Sequence, residues 1–304
     1  MTARSSQQMA LLFGSGAVLL WSTVATAFKL TLGYLSPAQL VLVASAVSWL
    51  FFGLLLTWQK QWHTLQAASR GAILRALLLG LINPTAYYLV LFAAYRLLTA
   101  QAAMAINYTW ALTLGLLAVP ILGQKLHWRG LVAALISYLG VFGIATQGQW
   151  LSLHFASPEG VLLALASTVL WALYWLFNGK HTLEPQLNLW LNFSAALPAL
   201  LIYCWLSGEL SAPPWQGLIG ATYIGFFEMG LSFVLWLQAM RYASNTLAVS
   251  SLIFLAPPIS LTLIWLVLGE PILSSTLVGL VLILSGLAIQ HVGDILFGRA
   301  EQSK

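Results

Sequence analysis

Charged side chains in this chain are confined to short gaps, and the gaps divide it into about ten apolar runs of roughly 18–23 residues each. A run of that length, coiled as an α-helix rising about 1.5 Å per residue, crosses a hydrocarbon layer of about 30 Å. Inside such a layer every backbone N–H and C=O must be paired within the protein, which leaves helices and closed barrels. The runs are too long and too evenly apolar for barrel strands of about ten alternating residues. The spacing predicts an all-α integral membrane protein of ten transmembrane helices. They fall near 10–29, 37–58, 73–94, 100–122, 129–147, 159–178, 188–206, 217–239, 246–268 and 273–296.

Composition agrees. Only 6% of the 304 residues are charged and 60% are apolar, where a soluble protein carries about 25% charged residues. A net charge of +5 would suggest nucleic acid in a soluble protein. Here the cations flank apolar runs, so orientation and contact with anionic lipid account for them. With the N-terminus in the cytoplasm, Arg4, Lys60, Arg70, Arg75, Lys125, Arg129, Lys180, Arg241, Arg299 and Lys304 fall inside. Lys29 and Arg96 alone fall outside, where they serve as interfacial anchors or guards of the outer mouth. That bias places both termini in the cytoplasm. Trp58, Trp62, Trp128, Trp150 and Trp215 sit near span ends, as interfacial belt residues do. The single cysteine, Cys204, excludes an intramolecular disulfide. The first run is read as a retained helix, since no small-residue cleavage site follows it.

The second half echoes the first at a period of about 145–150 residues. Leu20-Trp21-Ser22 matches Leu170-Trp171-Ala172, Ala94-Tyr95-Arg96 matches Ala239-Met240-Arg241, and Leu122-Gly123-Gln124 matches Leu268-Gly269-Glu270. Five spans per repeat is odd, so the second copy must insert upside down. Such inverted repeats, here 1–148 and 149–304, place a substrate site near mid-membrane. The second copy carries Pro257, Gly269-Glu270 and Gly286; the first has Ala111 and Gln124 in place of the Pro and Glu. On these residues the halves resemble two EamA repeats of the drug/metabolite transporter superfamily. Asn107-Tyr108-Thr109-Trp110, Leu20-Trp21-Ser22-Thr23 and Trp171-Ala172-Leu173-Tyr174 further resemble its YddG-like aromatic amino acid exporters. Phe226-Phe227-Glu228-Met229-Gly230 departs from that branch. The resemblance implies ten helices around a central cavity lined mainly by helices 1, 3, 4, 6, 8 and 9. It also implies a secondary exporter of small metabolites in a bacterial inner membrane.

Glu228 is the sharpest candidate, a carboxyl near the middle of the eighth span. A charge at that depth costs about 2.5–3.5 kcal/mol on insertion scales, so it faces a cavity or a partner. It would couple transport to protons by gaining and losing one, or bind a substrate ammonium; otherwise it is a protonated acid bonding helix to helix. Asn83-Pro84 breaks the third span, because Pro removes a donor and crowds the preceding turn. Asn83 lies 145 residues before Glu228, and Tyr87 and Tyr88 follow one turn on. Asn107, Tyr108 and Trp110 lie mid-span in the fourth helix, where an amide and an indole three apart share a face. Trp21 and Trp171 are repeat equivalents, and Trp175 and Asn178 continue the face of Trp171. These Trp residues line an aromatic cavity, where cation–π attraction is available, or pack against lipid. Ser251, with Ser250, precedes Pro257-Pro258 and bonds across helices or touches substrate.

No His-Glu-x-x-His, facing Asp pair or Gly-x-Ser-x-Gly points to an enzyme. Gly179-Lys180 lacks the preceding Gly of a phosphate-binding loop. One mid-span acid supplies little of a channel filter. His63, His127, His154, His181 and His291 show no metal-ligand spacing. The expected partners are a small-molecule substrate, an amino acid or related metabolite, and the lipid bilayer. No cofactor, metal or nucleic acid is expected, and the chain is taken to work as a monomer. Organic cations are the alternative substrates.

Overall fold

The computed structural model describes residues 3–124, 128–150, 157–178 and 183–301, with side chains described for 6–124, 128, 130–150, 157–178, 183–246 and 248–290. Lys125, His127, His154, Gly179, Lys180, His181 and Lys304 lie outside the described residues, as do the side chains of Arg4, Arg129, His291 and Arg299. Among the described residues there are ten apolar helices: α1 (Ser6–Thr31), α2 (Pro37–Trp58), α3 (Arg70–Leu97), α4 (Ala100–Leu122), α5 (Gly130–Ala145), α6 (Pro158–Asn178), α7 (Pro185–Leu206), α8 (Trp215–Tyr242), α9 (Ala248–Leu268) and α10 (Ser274–Gln290). A five-residue helix, His63–Ala67, lies between α2 and α3. Among the described residues there is no strand.

Eight of the ten are long and apolar enough to cross a membrane, and α5 and α10 are shorter. The expected fifth span, 129–147, is cut back at its end. Thr146–Gln149 form a turn in which Gln147 and Gly148 take left-handed φ values of 52° and 84°, which no helix continues.

Helix starts follow local chemistry. Ser36 and Gln39 close a reciprocal capping box at α2, with Pro37 in the first turn, where its missing N–H costs nothing. Ser69, Thr99 and Ser157 accept from the N–H groups of Ala72, Ala102 and Gly160, and Asn245 does the same for Ala248. These side chains satisfy donors that a helix start leaves orphaned.

The described helices group into two compact units. The first is Met1–Phe92 with His181–Gly269, which holds α1, α2, most of α3, α7, α8 and α9. Within it α1 packs along α8 and α9, and α2 packs against α7 and α8. Small residues permit close approach. A Cβ at Gly80 would collide with the Asn192 backbone of α7, and one at Gly225 with the Ala44 carbonyl of α2. The second unit is Ala93–Lys180 with Glu270–Lys304. There α5 and α10 pack closely, with Gly140 against Gly279 and Gly286 against Ser137. Helix association between apolar surfaces in lipid depends on such close packing. Outward side chains such as Leu54, Leu162 and Leu206 are exposed and apolar.

Four helices are irregular inside. In α3, Asn83 leaves helical geometry (φ −136°, ψ 120°) before Pro84, and the Tyr87 N–H reaches back five residues to the Ile82 carbonyl. In α8, Ile224–Leu231 form widened turns in which the Ser232 N–H reaches the Phe227 carbonyl. Helix α4 breaks at Tyr108–Thr109, and α9 tightens over Ser251–Leu255. Gly123 and Gly269 end α4 and α9 in the same left-handed conformation, φ 69° and 67°.

Candidate functional site

The widened turn of α8 receives side-chain hydrogen bonds on its backbone carbonyls. Ser48 of α2 donates to the Gly225 carbonyl at 2.8 Å, and Ser232 donates to the Glu228 carbonyl. At the α3 break, Thr85 donates to the Gly80 carbonyl at 2.9 Å. Irregular backbone at membrane depth is tolerated where neighbouring side chains supply such hydrogen bonds.

Glu228 sits in the widened turn and is only 8% exposed. The Tyr88 hydroxyl of α3 donates to its Oε1 at 2.6 Å. Its other oxygen, Oε2, is buried and has no hydrogen-bond partner among the described residues. Tyr88 is held by rings: Tyr87 at 4.7 Å, Phe92 at 5.4 Å and Phe28 of α1 at 6.4 Å. Asn83 is 5% exposed, and its Oδ1 also lacks a partner among the described residues. Thus α3 and α8 each carry a buried acceptor at their irregular turn. On α1, Trp21 packs against Phe233 (6.1 Å) and Trp236 (5.4 Å) of α8.

In the second unit the break in α4 faces α6. The Asn107 amide donates to Ser167 at 3.0 Å, and the Trp110 ring meets Trp171 edge-on at 6.2 Å. Ser167 and Trp171 are one turn apart, so the shared face expected of Asn107 and Trp110 exists despite the break. Trp171, Tyr174 and Trp175 meet one another at 5.8–5.9 Å. The Trp175 indole N–H is buried without an acceptor among the described residues. Asn178 ends α6, Tyr108 lies half-buried at the break in α4, and Ser251 lies half-buried at the start of the tight turn in α9. Arg96 is exposed at the end of α3, and Lys29 is half-buried in the last turn of α1. Among the described residues no His, Cys, Asp and Glu cluster is suited to a metal ion.

Sequence reasoning missed two features. One is a hydroxyl cluster in which Thr113 meets both Thr168 and Tyr138 at 3.0 Å. The other is an open pocket of about 420 Å³ between the ends of α1, α8 and α9. The signal for the pocket was the spacing of Thr23, Thr26, Leu30 and Tyr34 along one face of α1 and just beyond it.

The sequence model of the EamA-like transporter family matches residues 8–146 and again 158–290. An uncharacterized transporter of Archaeoglobus fulgidus is 23% identical over 277 residues, which cover 90% of this chain and 95% of that protein. The aromatic amino acid exporter YddG of Ancylobacter novellus is 25% identical over 296 residues, covering 93% of this chain and 97% of its own. A solved crystal structure with 23% sequence identity matches at a TM-score of 0.64, over 96% of this chain and 98% of that one, which shows a shared fold.

Proposed function

The chain belongs to the EamA-like transporter family, and from that premise we propose that it exports small metabolites, amino acids with aromatic side chains first among them, by proton-coupled alternating access. The family and the relatives are transporters, not enzymes, and the chain is a multi-pass membrane protein. The observation that carries the coupled reading is the buried Glu228, with one oxygen tied to Tyr88 and the other without a partner among the described residues. A carboxyl held in this way has one free oxygen on which to exchange a proton or receive an ammonium group. The ring cluster Trp171, Tyr174 and Trp175, in which the Trp175 indole N–H has no acceptor among the described residues, suits a substrate with a flat apolar part and a polar acceptor. The similarity to an aromatic amino acid exporter over nearly the full chain favours that substrate class.

Alternating access rests on the reading of the chain as two inverted five-helix repeats, 1–148 and 149–304, with both termini cytoplasmic. Paired irregularities about 145 residues apart support it. They are the turns at Asn83 and Glu228, the breaks at Tyr108 and Ser251–Leu255, and the left-handed Gly123 and Gly269.

Reconstitution in proteoliposomes tests the reading. Glu228→Gln should preserve counterflow of labelled phenylalanine and abolish accumulation driven by a proton gradient. Unchanged gradient dependence would remove Glu228 from the mechanism. A second reading, export of organic cations, is favoured by the same unpartnered carboxyl oxygen beside aromatic side chains. Competition between phenylalanine and tetraphenylphosphonium in the counterflow assay separates the two.

A further inference from the structure

Gly269-Glu270 closes α9, and the structure gives the carboxylate partners about 170 residues away in the chain. Gly269 turns with a left-handed φ of 67° and has open space around it. Glu270 then reaches the start of α4, within the second unit. Its Oε1 accepts from the Ala100 N–H at 3.0 Å and its Oε2 from the Gln101 N–H at 3.4 Å. The Gln101 side chain, 2% exposed, donates back to the carbonyls of Glu270 at 3.2 Å and Pro271 at 3.1 Å. Thr99 takes the Ala102 N–H from the adjoining turn. The first three donors of α4 all have side-chain acceptors, and a carboxylate at a helix start is favoured by the helix dipole.

The helix fastened in this way is short. Ala100–Asn107 runs about 12 Å before the break at Tyr108–Thr109. Ala100, Gln101, Ala103, Met104, Ala105 and Ile106 are buried, and the segment packs against α5, α6 and α10. Its far end carries Asn107, bonded to Ser167 of α6, and just past the break Trp110 meets Trp171. The break separates this segment from the rest of α4, so where its start is fastened bears on where Asn107 sits. Helix α9, irregular over Ser251–Leu255, is fastened at its start too. There Gln7 Oε1 accepts from the N–H groups of Ser244 at 3.0 Å and Asn245 at 2.8 Å. That fastener is a neutral amide, and Gln124, which matches Glu270 in the sequence repeat, is exposed.

We propose that Glu270 is a positioning residue for transport. By fastening the start of α4 to the loop before α10, it fixes the depth at which Asn107 and Trp110 present their shared face to substrate. The assignment rests on the reading of that face as a substrate wall.

Two readouts on the full chain test it: phenylalanine counterflow in proteoliposomes, and hydrogen exchange in nanodiscs. Glu270→Ala should raise the KM for phenylalanine about tenfold with the maximal rate little changed. It should also speed exchange throughout residues 100–108. Thr99→Ala removes the neighbouring cap but keeps the tie to the loop. It should speed exchange in the first turn only and leave KM unchanged. Glu270→Gln keeps one acceptor at the same reach and should raise KM about threefold, which decides the matter if the alanine variant does not fold. Equal KM values in the Glu270 and Thr99 variants, or exchange confined to the first turn in all of them, reduce Glu270 to a helix cap and overturn the proposal. If wild type shows no phenylalanine counterflow, the substrate reading fails by itself, and the exchange comparison still decides the role of Glu270.

Discussion

Tyr88 is the residue through which Glu228 is positioned, because among the described residues it supplies the one hydrogen bond to the carboxyl oxygens of a side chain that is 8% exposed. Removing that donor leaves a buried acceptor oxygen unpaired, which costs about 1–3 kcal/mol. Tyr88→Phe should therefore lower the melting temperature in nanodiscs, while the ring contacts with Phe28 and Phe92 remain. Replacing both partners, as Tyr88→Phe with Glu228→Leu, removes the stranded oxygen as well. The double variant should be more stable than the sum of the single losses predicts, and should show no gradient-driven transport. Additive losses would mean that the 2.6 Å contact carries no coupling energy. Glu228 itself was legible in the sequence as an acid at mid-span. Tyr88 was legible only as one of two adjacent tyrosines, since a contact between residues 140 apart has no local signature.

At the level of helices, the irregular turns matter more than the spans that contain them. Asn83-Pro84 announces its break through proline, and the structure leaves the helical region at Asn83. The widened turn of α8 has no proline, yet Gly225 brings its backbone against α2, where Ser48 donates to the Gly225 carbonyl. Close approach also sets the α3–α7 contact. Gly80 faces the Asn192 backbone, which has no flexible side chain to yield, whereas Gly71 near the start of α3 has open space around it. Gly80→Ala should lower the melting temperature sharply, by the 1–3 kcal/mol of an overpacked site or more. Gly71→Ala should be neutral or stabilising by up to about 1 kcal/mol, because Ala is the better helix former. Equal effects of the two substitutions would contradict the packing described.

For the whole molecule, the charge pattern predicts sides for the loops, and cysteine accessibility tests them. In a background where the buried, free Cys204 is Ser, Tyr34→Cys should react with a membrane-impermeant maleimide added to intact cells. Gln59→Cys should react only after lysis, and the reverse result would invert the topology. The repeat and the packing unit are different divisions of the chain, since the first compact unit joins 1–92 to 181–269 and draws helices from both halves. Run length and charge placement were enough, from sequence alone, to establish the membrane class and the approximate extent of the spans. The cost of an unpaired backbone group or an exposed charge in hydrocarbon acts on every residue locally. Matching of distant segments decided the rest: which tyrosine holds Glu228, which serine covers the Gly225 carbonyl, and where α1, α8 and α9 part to leave an open pocket. Those outcomes depend on how closely particular helices approach, a property of two surfaces together that neither stretch of sequence carries alone.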